Sequence, residues 1–137
     1  MTIRLKRRDY DAIVAHAKAG LPNEACGLIA GTIAGSGKNV EKVYLLTNTD
    51  ASPNHFTISP GEQLRAVKDM RALGLSPLGN FHSHPATRAR PSAEDIRLAY
   101  NPKASYLILS LAGKEPVLRA FKIADGAAVP QAVEILP

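Results

Sequence analysis

His82 and His84 are two residues apart in the segment Leu78–His84, which reads as a β-strand. Side chains at i and i+2 of a strand project to one face, so the two imidazoles aim at a common point. Beyond the loop Pro85–Pro91, and eleven residues after His84, Asp95 falls in the first turn of a predicted helix opening at Ser92. Two imidazole nitrogens and one carboxylate oxygen form a donor set suited to catalytic zinc, which uses three protein ligands and keeps a fourth position open. Structural zinc is normally closed by four ligands, usually including cysteines, and this chain has one cysteine, Cys26. On their own, the histidines also fit a hydrogen-bonded pair near a strand end. Ser92-x-x-Asp95 also fits a helix capping box, although that box favours Glu or Gln at its last position. Ser92 can serve both purposes, capping through one lone pair while facing the site.

The positioning elements follow from periodicity. Tyr10, Ile13, Val14 and Ala17 recur at helical spacing between Asp9, which can cap, and Gly20, which can stop the helix. Ala25–Ile33 and Val40–Thr49 read as strands around the turn Gly35-Ser36-Gly37, with Glu24 at the entrance of the first; His55–Ile58 reads as a further short strand. Ser59, Pro60 and Glu62 suit a helix start, with the glutamate reaching back to the cap amide, and the helix runs to about Leu73 before Gly74. After the histidine strand, a helix over Ser92–Tyr100 precedes strands Ser105–Leu111, Val117–Ile123 and Ala128–Ile135. Strands at both ends with helices between them predict one α+β domain over residues 1–137, built on a mixed sheet.

Composition narrows the classes. The chain has 137 residues, 45% of them hydrophobic and 21% charged, which suits one packed core and argues against disorder or repeats. No apolar run is long enough for a membrane span, and the start MTIRLKRRDYDAIV does not resemble a signal peptide. A lone cysteine closes no disulfide within the chain, which fits a reducing cytoplasm. The net charge of +5 favours anionic partners, but nucleic-acid binding would call for exposed aromatics among the basic residues, and the three Phe and four Tyr do not cluster with Arg4, Lys6, Arg7 and Arg8. That basic run reads as a solvated face.

His82-Ser83-His84-Pro85, followed by Ser92 and Asp95, resembles the His-x-His-Pro and Ser-x-x-Asp signature of the JAMM (MPN+) metalloprotease family, with Leu78-Gly79-Asn80-Phe81 similar to its lead-in. Glu24-Ala25-Cys26-Gly27 resembles the segment that supplies the family's glutamate, and the likeness spans essentially the whole chain. It implies a curved sheet flanked by helices, with cytidine-deaminase-like layering. A cytidine deaminase itself is disfavoured because the Pro-Cys-x-x-Cys ligands are missing. The resemblance implies that His82, His84 and Asp95 bind Zn²⁺, with water completing the tetrahedron. Glu24 would take a proton from that water and pass it to the leaving amine, and Ser92 would hydrogen-bond the oxyanion. Without the signature, Glu24 would read as a surface residue in a turn.

The same resemblance implies a peptidase acting after the C-terminal glycine of a ubiquitin-like or sulfur-carrier protein, release of a C-terminal cysteine being one such activity. A groove beside a sheet can accept such a tail by strand addition, and glycines pass where side chains would clash. Arg88 and Arg90, in the loop between ligands, are candidates to hold a substrate carboxylate, although both also fit solvated loop residues. Two other readings stand beside the peptidase: a RadC-like domain of DNA metabolism, and an inactive interaction module that keeps its metal. Cys26 reads as a small buried hydrophobe, and His16 and His55, placed on a helix surface and a loop or strand edge, carry no assigned role.

Overall fold

A computed structural model describes residues 1–137. Alternation at the N-terminus builds the first strand, β1 (Thr2–Lys6), in which Ile3 and Leu5 are buried while Arg4 and Lys6 point outward. The basic run lies outward: Arg4 and Lys6 are on the outer side of this strand, and Arg7 and Arg8 after it are exposed. Helix α1 (Arg7–Gly20) then starts two residues before Asp9, which lies in its first turn and does not cap it.

Strands β2 (Cys26–Ala34) and β3 (Gly37–Leu46) form an antiparallel hairpin, α2 (Pro60–Ala72) follows, and β4 (Ser76–His84) pairs antiparallel with β2. Helix α3 (Ala93–Arg97) is shorter than expected and precedes β5 (Ser105–Ser110), β6 (Val117–Ala124) and β7 (Ala127–Leu136). His55–Ile58 is not a strand; its pairing is a single bridge between Asn48 and Ile58. Ser59 makes no side-chain cap on α2, and Glu62 accepts hydrogen bonds from the Thr47 amide (2.9 Å) and hydroxyl (2.7 Å) instead of the cap amide.

The sheet is mixed and has helices on both faces. Its order, β1-β3-β2-β4-β5-β6-β7, closes because β1 pairs in parallel with both β3 and β7. The arrangement is thus a barrel-like sheet rather than an open layer, and the comparison with cytidine-deaminase layering gains no support from it. One face, with Ile3, Leu5, Phe81, Leu107 and Leu109, packs against Ile13 and Ala17 of α1. The opposite face receives Ala66 and Met70 of α2 against Ala30, and the loop residue Ala89 against Ile108, Phe121 and Ile123. Gly27 lets β2, β3 and β4 come together, since a Cβ there would lie 2.0 Å from the Tyr44 carbonyl and 2.2 Å from the Phe81 ring.

Candidate metal and catalytic site

Alternation along β4 sends Phe81 and Ser83 inward and His82 and His84 to the opposite face, all four being buried. Ladder bonds to β2 on one side and β5 on the other hold this end of the strand. Helix α3 begins with the capping box anticipated from Ser92 and Asp95: Ser92 Oγ accepts the Asp95 amide at 3.0 Å, and Asp95 Oδ2 accepts the Ser92 amide at 2.9 Å. That pair turns the Asp95 carboxylate toward β4. Asp95 Oδ2 lies 3.1 Å from His82 Nε2 and 3.2 Å from His84 Nε2, and the two Nε2 atoms are 3.1 Å apart.

Three such atoms fit a metal on chemical grounds. Donors around a tetrahedral zinc with bonds of about 2.0–2.1 Å are separated by about 3.3 Å, close to the spacings here. His84 Nδ1 sits 2.8 Å from the Arg88 carbonyl, which can only accept; Nδ1 therefore carries the hydrogen, and in the neutral ring Nε2 offers a lone pair to the centre. His82 stacks on Phe56, with ring centroids 4.6 Å apart and planes at 24°, and its Nδ1 is buried without a partner.

Electrostatics divide the group. Burial lowers the His82 pKa and outweighs the Asp95 contact that favours the charged ring. Burial acts on His84 in the same sense, but hydrogen bonds to Asp95 and the Arg88 carbonyl, with the charges of Asp95 and Glu24, leave its pKa raised. Burial alone would push Asp95 upward; the two histidines and the Ser92 amide instead hold it far below the carboxylate range.

Glu24 is 5% exposed and one carboxylate oxygen, Oε1, has no partner. It precedes β2 rather than sitting within it. Its amide donates to the Ser52 carbonyl at 2.8 Å, and its carbonyl accepts from Asn48 Nδ2 at 2.9 Å. The next residue is bound to the histidine strand: the Ala25 amide donates to Ser83 Oγ at 2.8 Å, and the Ser83 amide to the Ala25 carbonyl at 2.9 Å. Glu24 shares a cavity of about 700 Å³ with His84 and Ser92. Burial raises its pKa to about 7, with His84 pulling it down and Asp95 pushing it up.

Of the seven residues singled out by the sequence, Glu24, His82, His84, Ser92 and Asp95 are brought together here. Arg88 and Arg90 are exposed at an adjoining cavity that reaches His84 and Ser92. Cys26 is directly opposite His82 in the ladder and fully buried, and burial, followed by the charges of Glu62 and Glu24, raises its thiol to about 12. His16 departs from the expected free helix surface: its Nε2 lies within 3.1 Å of both the Cys26 and Leu46 carbonyls, where one N–H can serve both. Ser83, Asn48 and Phe56 were not identified from the sequence. Ser83 alone had a signal, since a polar residue between two same-face histidines must point into the core.

Residues 6–124 match the family described as prokaryotic homologs of the JAB domain. The chain belongs to that family. Within it, the chain is 37% identical over 129 residues to the CysO-cysteine peptidase of Mycobacterium tuberculosis, covering 92% of this chain and 86% of that protein. It is 31% identical over 109 residues to the desampylase of Haloferax volcanii, covering 76% and 77%. Among solved structures, a Desulfitobacterium hafniense protein superposes with a TM-score of 0.90 at 51% identity, covering 97% of this chain and 92% of that one. The likeness to the JAMM (MPN+) family is thereby established, and the Mycobacterium relative carries a peptidase name. No helix of the chain is long and apolar enough to cross a membrane.

Proposed function

We propose that this JAB domain is a zinc-dependent peptidase or isopeptidase, hydrolysing the bond after the C-terminal glycine of a ubiquitin-like or sulfur-carrier protein. The observation that carries the reading is the convergence of His82, His84 and Asp95 within 3.1–3.2 Å of one another, beside a buried Glu24 that shares a cavity with Ser92. His82, His84 and Asp95 would hold Zn²⁺. When bound, zinc supplies a Lewis acid for the scissile carbonyl and a water ionisable near neutrality.

The chain's own groups supply the rest. Glu24, whose carboxyl is pushed up to about 7 by burial in the metal-free chain, is a buried carboxylate able to accept a proton and return it to the leaving amine. Its backbone is tied on both sides, which fixes the point from which its buried side chain enters the cavity. Ser92 Oγ uses a lone pair for the cap, which leaves its hydrogen free to donate to a developing oxyanion. A donor in that role is typically worth about 3 kcal/mol of barrier. Arg88 and Arg90 are the candidates for holding a substrate carboxylate. The names of the Mycobacterium and Haloferax relatives support a carrier-protein substrate, and a cytoplasmic setting belongs to the same reading.

Metal analysis combined with cleavage of a carrier-protein conjugate tests this. His82→Ala loses metal and activity together; Glu24→Gln keeps the metal and loses activity. Retained turnover in Glu24→Gln with bound metal refutes the assignment of the proton shuttle. Unchanged KM in both Arg88→Ala and Arg90→Ala removes the arginines from it.

A further inference from the structure

Three arginines surround one concavity beside the site. Arg88 and Arg90 of the ligand loop and Arg119 of β6 line a cavity of about 380 Å³ with Ser110 and Val117. None of them pairs with a carboxylate, so their guanidinium groups are free to take an anion. The three guanidinium groups are exposed, so their mutual repulsion is softened by solvent, but together they make the hollow electropositive and favour an anion there.

The concavity has a defined place relative to the metal-binding atoms. In the ladder, His84 stands beside Ser110, and Ser110 beside Val117; one row along, His82 stands beside Ile108, and Ile108 beside Arg119. Paired residues project to the same face, so these side chains share the face of the histidines. With strands about 4.8 Å apart, the cavity wall lies one to two strand spacings from β4. The loop side is equally fixed. Ala89 is buried against Ile108, Phe121 and Ile123, the Arg90 amide donates to the Arg88 carbonyl at 2.9 Å, and that carbonyl also receives His84 Nδ1. A second cavity, shared by Arg88 and Arg90, joins the hollow to His84 and Ser92.

We infer that Arg88, Arg90 and Arg119 form a carboxylate-binding subsite, and that it takes the free α-carboxylate of a leaving group only one or two residues long. The inference rests on the peptidase reading and decides what that reading leaves open. A residue spans about 3.3–3.6 Å, so a leaving group of one or two residues ends about 3–7 Å beyond the scissile nitrogen, within reach of long side chains on the loop and β6. A lysine of a folded protein, joined through its side chain, brings no terminal carboxylate to that position. The guanidinium fork matches a carboxylate in two parallel hydrogen bonds.

The test uses a carrier protein extended by one residue past its C-terminal glycine, as the free acid and as the C-terminal carboxamide. In the zinc-loaded wild type the carboxamide lowers kcat/KM about tenfold, mainly through KM, as expected for loss of one charge-assisted contact. In Arg119→Ala, which leaves the metal-binding residues and both loop arginines in place, the preference for the acid over the amide is reduced. Equal cleavage of acid and amide by the wild type overturns the inference, as does an undiminished preference in Arg119→Ala. If the wild type cleaves neither, the peptidase reading fails, and the subsite is judged by NMR titration of the metal-free chain with alanine and alaninamide. Shifts in the arginine side-chain resonances with alanine alone support it. Equal shifts, no shifts, or displacement of alanine by a short DNA duplex overturn it.

Discussion

Ser83→Ala should expose how the glutamate is coupled to the histidine strand. Ser83 is 1% exposed, and its hydroxyl oxygen is the acceptor for the Ala25 amide at 2.8 Å. Ala25 is itself only 5% exposed, so water cannot easily replace the missing acceptor. Leaving a buried amide unpaired costs about 1–3 kcal/mol, to which the small void adds little. For a domain of this size, 2 kcal/mol corresponds to a fall in Tm of roughly 6–10 °C. The register survives, because the Ser83 amide still donates to the Ala25 carbonyl and β4 remains paired on both sides. Metal affinity should therefore stay within a few-fold of wild type, while kcat drops because Glu24 is the residue next to the loosened amide. The assay is thermal unfolding by circular dichroism, run beside zinc titration and turnover. A Tm within 1 °C of wild type, or a loss of metal affinity as large as the loss of kcat, refutes the reasoning.

Zinc should raise Tm in the wild type and leave His82→Ala unmoved; at a thousandfold excess over Kd the stabilisation is about 4 kcal/mol, read by calorimetry with and without a chelator. In the metal-free chain the raised Glu24 pKa makes the folded state bind more protons than the unfolded one between the ordinary carboxylate value of 4.5 and about 7. This contribution to stability is full below about 4.5 and is lost as pH rises through about 7, so denaturant unfolding should show Glu24→Gln losing less stability than wild type over that range, by an amount on the order of 2–3 kcal/mol. Cys26, buried and with its thiol pushed to about 12, should resist iodoacetamide at pH 8 in the folded protein and react fully in urea, with Cys26→Ala keeping turnover.

The convergence of His82, His84 and Asp95 was legible because it depends on two local rules: a period of two along a strand and a capping box at a helix start. Each places side chains over a few residues, with no reference to the rest of the chain. Most strands and helices were readable for the same reason, and their ends moved by one to three residues as pairing and fraying decided. Strand β1 escaped because two apolar residues among five basic-rich positions leave a weak pattern; its burial depends on β3 and β7 arriving on either side. His55–Ile58 looked strand-like, yet the segment is engaged chiefly through Asn48 and through Phe56 against His82, neither of which propagates a ladder.

Residue type and short-range periodicity suffice to bring His82, His84 and Asp95 forward as a group and to name the strand and helix that present them. The placement of Glu24 in a cavity with His84 and Ser92 comes from long-range pairing, because it depends on a contact between Ala25 and Ser83 across 58 residues. Tertiary structure likewise decided that Arg119 joins Arg88 and Arg90 around one hollow. Strand pairing sets such neighbours, and pairing is a long-range choice made by burial of both faces of the sheet and by closure of the barrel.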